Sequence, residues 1–237
     1  MSSSSLIEKA VVLFDVIIKD LYLYLPSILG KRLTYRLKMD NSYVTEGDIR
    51  IDDIIFSRSK EFFPESTYIS EERLTQIKPL LTNKAISFVV DPIDGTENFS
   101  SGLSEWGISI SVYQNQKHLS SLIGCPELNL WLRSGDKISP YSSRIRGLSS
   151  SLSRLDLAQA TQGYEYRITG CCVYNMLNVI RGSFHSFENP KGAHSWDILA
   201  GLNLALEHGL TVNVEGGAYA GEYLSPDRKY RFKIENQ

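Results

Sequence analysis

The 237-residue chain has little of what marks a secreted, zinc-clipped or nucleic-acid-binding protein. Its three cysteines, Cys125, Cys171 and Cys172, are odd in number and two are adjacent, so a disulfide framework is not expected and a reduced, cytoplasmic setting is. No C-x-x-C pair or histidine-rich tract offers a zinc site. Positive charge is not in excess, because 27 acids oppose 25 bases for a formal charge of −2. That balance leaves no basic face for nucleic acid or an anionic membrane. Long apolar runs are missing as well. The most hydrophobic stretch, LIEKAVVLFDVIIKDLYLYL, is broken by Glu8, Lys9, Asp15, Lys19 and Asp20 before a bilayer could be spanned, and it reads as a buried amphipathic helix. No basic n-region with a small-residue cleavage site precedes it, so a secretory leader is not expected, and the serines after Met1 read as a frayed terminus.

What is present is ordinary core-forming composition, 42% hydrophobic and 22% charged, enough for one domain or two joined halves. Pro26 is expected to end the first helix, with a polar loop carrying Lys31, Arg32 and Arg36 after it. A second helix is predicted from Thr45 as N-cap, with Glu46 and Asp48 in its first turn, to Pro64. TYIS (67–70), AISFVV (85–90), GISISVY (107–113), LSSLIGC and LNLWLRS read as strands, the later ones antiparallel. The serine- and arginine-rich middle has weak periodicity and suits a connection. Beyond it come a helix from Cys171 to Arg181, a short strand SFHSF, a helix from Ser195 as N-cap to His208, and the strand LTVNV.

Chemistry concentrates in FVVDPIDGTENF, residues 88–99. Pro92 fixes one φ between Asp91 and Asp94, so both carboxylates can face one point, and an oxygen site of this kind suits Mg²⁺. Gly95 permits close backbone approach, and a helical turn begun by TENF would present N–H groups to phosphate. A Thr96 hydroxyl beside the metals could orient a water nucleophile. Taken alone, the same residues also suit a capped turn, with Thr96 capping the next helix. A haloacid-dehalogenase-type phosphatase would need its two aspartates two positions apart, and here they are three apart.

Four segments together resemble the inositol monophosphatase family of lithium-sensitive, magnesium-dependent phosphatases. DPIDGTENF matches D-P-I-D-G-T-x-N-F, SWDILAG (195–201) matches W-D-x-A-A-G, YISEER (68–73) matches the segment ending in two glutamates, and KMDNSYVTEGD (38–48) matches K-x-x-x-D-x-V-T-x-x-D with its inner aspartate displaced to Asp40. The resemblance implies the layered α/β/α/β/α sandwich of the inositol monophosphatase and fructose-1,6-bisphosphatase type. An N-terminal α+β half over residues 1–140 would carry most metal ligands, and a C-terminal α/β half over 141–237 would complete the site. It implies two or three Mg²⁺ ions held by Glu71, Asp91, the Ile93 carbonyl, Asp94 and Asp197. The catalytic step would fall to Asp48, Glu71 and Thr96. A small phosphorylated substrate would meet Asp94, Gly95, Thr96, Gly170, Cys172, Glu188, His194 and Asp197. A homodimer is implied on the same ground.

The departures bear on specificity. YRITGCCVYN resembles the family's R-S-x-G-x-A-A-x-N, but Cys171 and Cys172 replace small residues; both read as small buried apolar side chains. The glutamate that many members place seven residues before the W-D aspartate is Pro190 here, so Glu188 could substitute only if the NPKGAH loop bulges. Trp106, Trp131 and Trp196 read as core or dimer packing, and Arg144, Arg146 and Arg154 as a solvated face. The implied activity is hydrolysis of a small polyol or sugar phosphate, inositol monophosphate by default. Sugar bisphosphates, histidinol phosphate and 3′-phosphonucleotides are the alternatives, and a weakly active or inactive scaffold with a binding or regulatory role is the reading from another class.

Overall fold

A computed structural model describes residues 3–38, 43–76, 86–153, 157–158 and 165–236. Helix α1 (Ser3–Leu29) puts Leu6, Ala10, Leu13, Phe14, Ile17 and Leu21 on one buried stripe, the 3.6-residue period of an amphipathic helix. It runs one turn past Pro26, contrary to expectation. Proline costs roughly 3 kcal/mol inside a helix. Here its missing N–H falls in the last turn, and complete burial of Ile28 holds the turn down. A short hairpin, β1 (Tyr35–Leu37) and β2 (Tyr43–Thr45), leads into α2 (Glu46–Phe62). Thr45 caps α2 as predicted, its Oγ1 accepting from Gly47 N at 3.0 Å.

Strands β3 (Thr67–Ser70), β4 (Ile86–Asp94), β5 (Gly107–Gln114), β6 (Lys117–Cys125) and β7 (Leu130–Arg133) form one sheet in sequence order. Only β3 and β4 are parallel in it. Helix α3 (Thr96–Ser100) follows β4 at once. The second sheet runs β12 (Gly217–Ala218), β11 (Thr211–Val214), β13 (Lys229–Glu235), β10 (Ser186–His194), β8 (Ile145–Leu148), β9 (Glu165–Ile168). Helices α4 (Cys172–Ile180) and α5 (Ser195–Glu207) lie between the sheets, while α1 and α2 cover the far face of the first. Arg154 and Asp40 fall outside the described residues.

Two cores result. One packs Phe14, Ile17, Ile51 and Ile55 against Phe88, Val90, Ile108, Ile110 and Val112. The other packs Val89 and Ile123 through α4 and α5 onto Phe187, Val212, Phe232 and Ile234. The alternation of GISISVY therefore does not mark a solvated face: its serines are buried under α5, and Ser109 Oγ donates to the Trp196 carbonyl at 2.7 Å. Trp106 and Trp196 are core residues, and half-buried Trp131 donates through Nε1 to the Tyr22 hydroxyl at 2.7 Å. Among the described residues, no helix is long and apolar enough to cross a membrane.

Three further boundaries differ from the sequence reading. β4 continues through Asp91 to Asp94 instead of ending before the acids, with a register shift between them. The strand read as SFHSF begins only at Ser186 and runs to His194, so NPKGAH is bulged strand and not loop. The N-cap of α5 is His194, not Ser195; Ser195 is the first helical residue.

His118 is pushed down to about 4, chiefly by burial, despite Glu207 at 3.9 Å. The unfolded chain therefore binds a proton near pH 6.5 that the native state refuses, so this residue removes stability as pH falls from 6.5 towards 4. Relative to His118→Asn, the parent is expected to lose about 2–3 kcal/mol across that window in urea melts. A pH-independent difference would contradict the assignment.

Candidate active site

The capping box of α2 places the first acid. Asp48 Oδ2 accepts from Thr45 N at 2.8 Å and from Thr45 Oγ1 at 2.6 Å, which turns Oδ1 towards β4. There it meets the Thr96 hydroxyl at 3.3 Å, and the same hydroxyl lies 3.0 Å from the Ile93 carbonyl. Burial pushes the Asp48 carboxyl up to about 6 against the lowering effect of its bonds to Thr45.

The bulge in β4 separates the two motif aspartates. Asp91 is 2% exposed and accepts from Ile93 N at 3.0 Å. Its oxygens gather with those of Glu71, at the end of β3, and Asp197, in the first turn of α5, so that one ligand atom of each lies within 4.8 Å of the others. Asp197 is aimed by the N-cap of its helix, where His194 N donates to Oδ2 at 2.8 Å. The His194 ring stacks on Trp196, 4.3 Å between centroids and 9° from parallel. Burial, followed by repulsion from Glu71, holds both Asp91 and Asp197 well above the usual carboxylate range. Crowded, poorly hydrated carboxylates with only oxygen donors fit a hard divalent cation, which would relieve both penalties.

Asp94 stands beside this trio but turns to the start of α4. Its Oδ2 accepts from Cys171 Sγ at 3.0 Å and from Val173 N at the start of α4. Burial raises it to about 6, with those bonds opposing. Gly95, at φ +82, carries the chain past Cys171, where a Cβ would approach the cysteine Cβ to 3.0 Å. Gly170 packs as closely on Asn98, and the half-buried Cys172 lies within reach of Asn189.

Some contacts were missed in the sequence. Lys38 Nζ bridges Glu71 Oε1 at 2.6 Å and Glu72 Oε1 at 2.7 Å. Burial alone would lower the lysine, yet the two glutamates raise it, while burial brings Glu72 up to about 7. Asn98 ties α3 to the segments before β5 and after β9 through Nδ2, which donates to Glu105 O at 2.7 Å and Thr169 O at 2.6 Å. The lysine heading KMDNSYVTEGD and the asparagine of TENF were the available signals. Glu188 is corrected: it is exposed, pairs in register with Lys233, and lines a groove with Pro190, Asn213, Glu215 and Arg231 that none of the clustered acids enters. Strand alternation puts buried Asn189 on the side of Cys172 instead.

Residues 10–144 match the model of the inositol monophosphatase family. The chain belongs to this family. It is therefore a phosphoric monoester hydrolase, a metal-dependent phosphatase whose acidic cluster suits a divalent ion. Among curated relatives, inositol monophosphatase 1 of Saccharomyces cerevisiae is 24% identical over 230 residues, covering 82% of this chain and 77% of the relative. The fructose-1,6-bisphosphatase/inositol-1-monophosphatase of Thermotoga maritima is 27% identical over 198 residues, covering 76% and 74%. A staphylococcal inositol monophosphatase-1 soaked in LiCl superposes with a TM-score of 0.78 at 22% identity, over 98% of this chain and 91% of that one. An IMPase/NADP phosphatase complexed with Mg²⁺ and phosphate gives 0.78 at 20% identity, over 98% and 92%. The inositol monophosphatase fold expected from the motifs is thus the fold observed.

Proposed function

We propose that the chain is a Mg²⁺-dependent phosphomonoesterase for a small polyol or sugar phosphate, with inositol monophosphate as its default substrate. The observation that carries this is the Thr96 hydroxyl, set between Asp48 Oδ1 and the Ile93 carbonyl at the edge of the acid trio. Glu71, Asp91, Asp94, Asp197 and the Ile93 carbonyl would hold two or three ions, whose charge would neutralise the phosphoryl oxygens and steady the leaving oxygen.

The chain's own groups do the rest. Thr96 donates to Asp48 Oδ1 and offers its lone pairs to a water, which fixes the direction of attack. Asp48, ionised above about pH 6, takes the proton that Thr96 passes on as it receives one from the water. The water oxygen forms the new bond to phosphorus, the bond to the alcohol oxygen breaks in line, and the alcohol leaves with a proton from solvent. The first N–H groups of α3 lack intrahelical acceptors, and in this reading they and Gly95 would receive the phosphate oxygens. Gly170, Cys172 and His194 would line the wall.

The name of the Thermotoga relative supports a bisphosphate as second substrate class, and the IMPase/NADP phosphatase neighbours support a phosphonucleotide. Pro190 and the Cys171–Cys172 pair are what motivate the scaffold reading. A phosphate-release panel of inositol 1-phosphate, fructose 1,6-bisphosphate, histidinol phosphate, 3′-phosphoadenosine phosphate and NADP, in Mg²⁺ with and without Li⁺, decides among them. Inositol 1-phosphate is expected to turn over fastest and to be slowed by Li⁺. Preference for another arm replaces the substrate, and no turnover in any arm replaces the enzyme with the scaffold.

A further inference from the structure

Glu71 leaves the end of β3 on a short 3₁₀ helix, Glu71–Gln76, and that junction is held from α2 by a carboxylate outside the acid trio. We propose that Asp52 is a positioning residue for Glu71, fixing the segment on both sides of it. The inference rests on the reading of Glu71 as a metal ligand.

Asp52 lies four residues after Asp48, so α2 presents the two buried carboxylates on one side, Asp48 towards Thr96 and Asp52 towards the end of β3. Asp52 is 2% exposed, a costly place for a carboxylate unless its oxygens are filled. They are filled from three neighbours that bracket Glu71. Oδ1 accepts from the Tyr68 hydroxyl at 2.9 Å and from Ser70 Oγ at 2.6 Å, and Oδ2 accepts from Arg73 Nε. Arg73 is steadied in turn by Asp53 Oδ1 at 2.5 Å and by the Phe56 ring 4.4 Å beneath its guanidinium. Ser70 Oγ also accepts from Glu72 N at 3.3 Å, so one hydroxyl links the Asp52 carboxylate to the backbone just past Glu71.

With Ser70 and Arg73 both tied to one buried group, the backbone of Glu71 has little room to swing. Its carboxylate is then delivered to Asp91 and Asp197 without a bond from Asp52 to any of them. In Asp52→Asn the size is kept, but an amide of either orientation offers Arg73 or the hydroxyls a donor where a lone pair stood.

A role confined to stability would not act through Glu71, and a double-mutant cycle separates the two. Mn²⁺ binding is measured by loss of the free-ion EPR signal for the parent, Asp52→Asn, Glu71→Gln and the double variant. Asp52→Asn is expected to weaken Mn²⁺ roughly tenfold, the range of residues that orient metal ligands from behind. The double variant is expected to bind no more weakly than Glu71→Gln alone. If Asp52→Asn fails to fold, Ser70→Ala replaces it in the cycle, with a smaller loss that also vanishes beside Glu71→Gln. Parental affinity in the folded variant, or a loss that adds in full to that of Glu71→Gln, overturns the inference. Failure of the parent itself to bind Mn²⁺ overturns the metal reading and this inference with it.

Discussion

Asp91→Asn is expected to melt at a higher temperature than the parent in EDTA and to release phosphate at least about a thousandfold more slowly in Mg²⁺. Both effects come from one fact, the enclosure of Asp91 against Glu71 and Asp197. Without a cation its ionised form is paid for in desolvation and repulsion, and replacing such a group by a neutral isostere stabilises by about 1–3 kcal/mol. In the proposed mechanism the same group holds a metal ion and would contribute several kcal/mol to the transition state, and each 1.36 kcal/mol is tenfold in rate. The pH dependence has a definite sign. A carboxyl held above its unfolded value binds its proton more tightly in the native state, so its contribution is present at low pH and is lost as pH rises through the folded value. In EDTA the parent should therefore lose more stability than Asp91→Asn as the buffer is taken upward from mildly acidic values. Calorimetric scans with EDTA and with Mg²⁺ check this, and an Asp91→Asn protein that melts lower than the parent in EDTA would show that the trio is not frustrated.

Thr96→Ala is expected to lower kcat by about 10²–10³ while leaving Mn²⁺ affinity within about threefold, because in the proposed mechanism the hydroxyl orients water and relays a proton. Thr96→Ser, which keeps the hydroxyl that meets Asp48 Oδ1 and Ile93 O, should retain most of the rate. Steady-state phosphate release checks the pair. Equal losses in Ala and Ser would assign Thr96 to backbone packing, and a loss confined to KM would assign it to substrate binding alone.

The fold was legible where side chains repeat with a period and where caps are local. Thr45 and Asp48 are three residues apart, and their capping box needs nothing from the rest of the molecule. Gly182 and Gly209, both with positive φ, stand just past the ends of α4 and α5, where the sequence placed those ends. Pro26 misled because the burial of Ile28, a tertiary matter, outweighs a local penalty. Ser195 misled for the opposite reason: a good N-cap residue lost the position to His194, whose N–H reaches Asp197, and was drawn into the interior.

At the site, the acids were legible because four motifs pointed to one chemistry, and Glu71, Asp91 and Asp197 do converge. Glu188 was not, since residues 188 and 189 of a strand face opposite ways and a bulge two residues on hides the register from any count of spacing. Asp52 was invisible for a similar reason. Read along α2 it is one more acid between Ile51 and Ile54, and only the packing of β3 on α2 brings Tyr68, Ser70 and Arg73 to it.

The most direct test of the account is a crystal soaked in Mn²⁺ and measured at the manganese absorption edge. The account predicts an anomalous peak bounded by oxygens of Glu71, Asp91 and Asp197, absent in Asp91→Asn crystals soaked alike. Anomalous density elsewhere with none among these three carboxylates would contradict it.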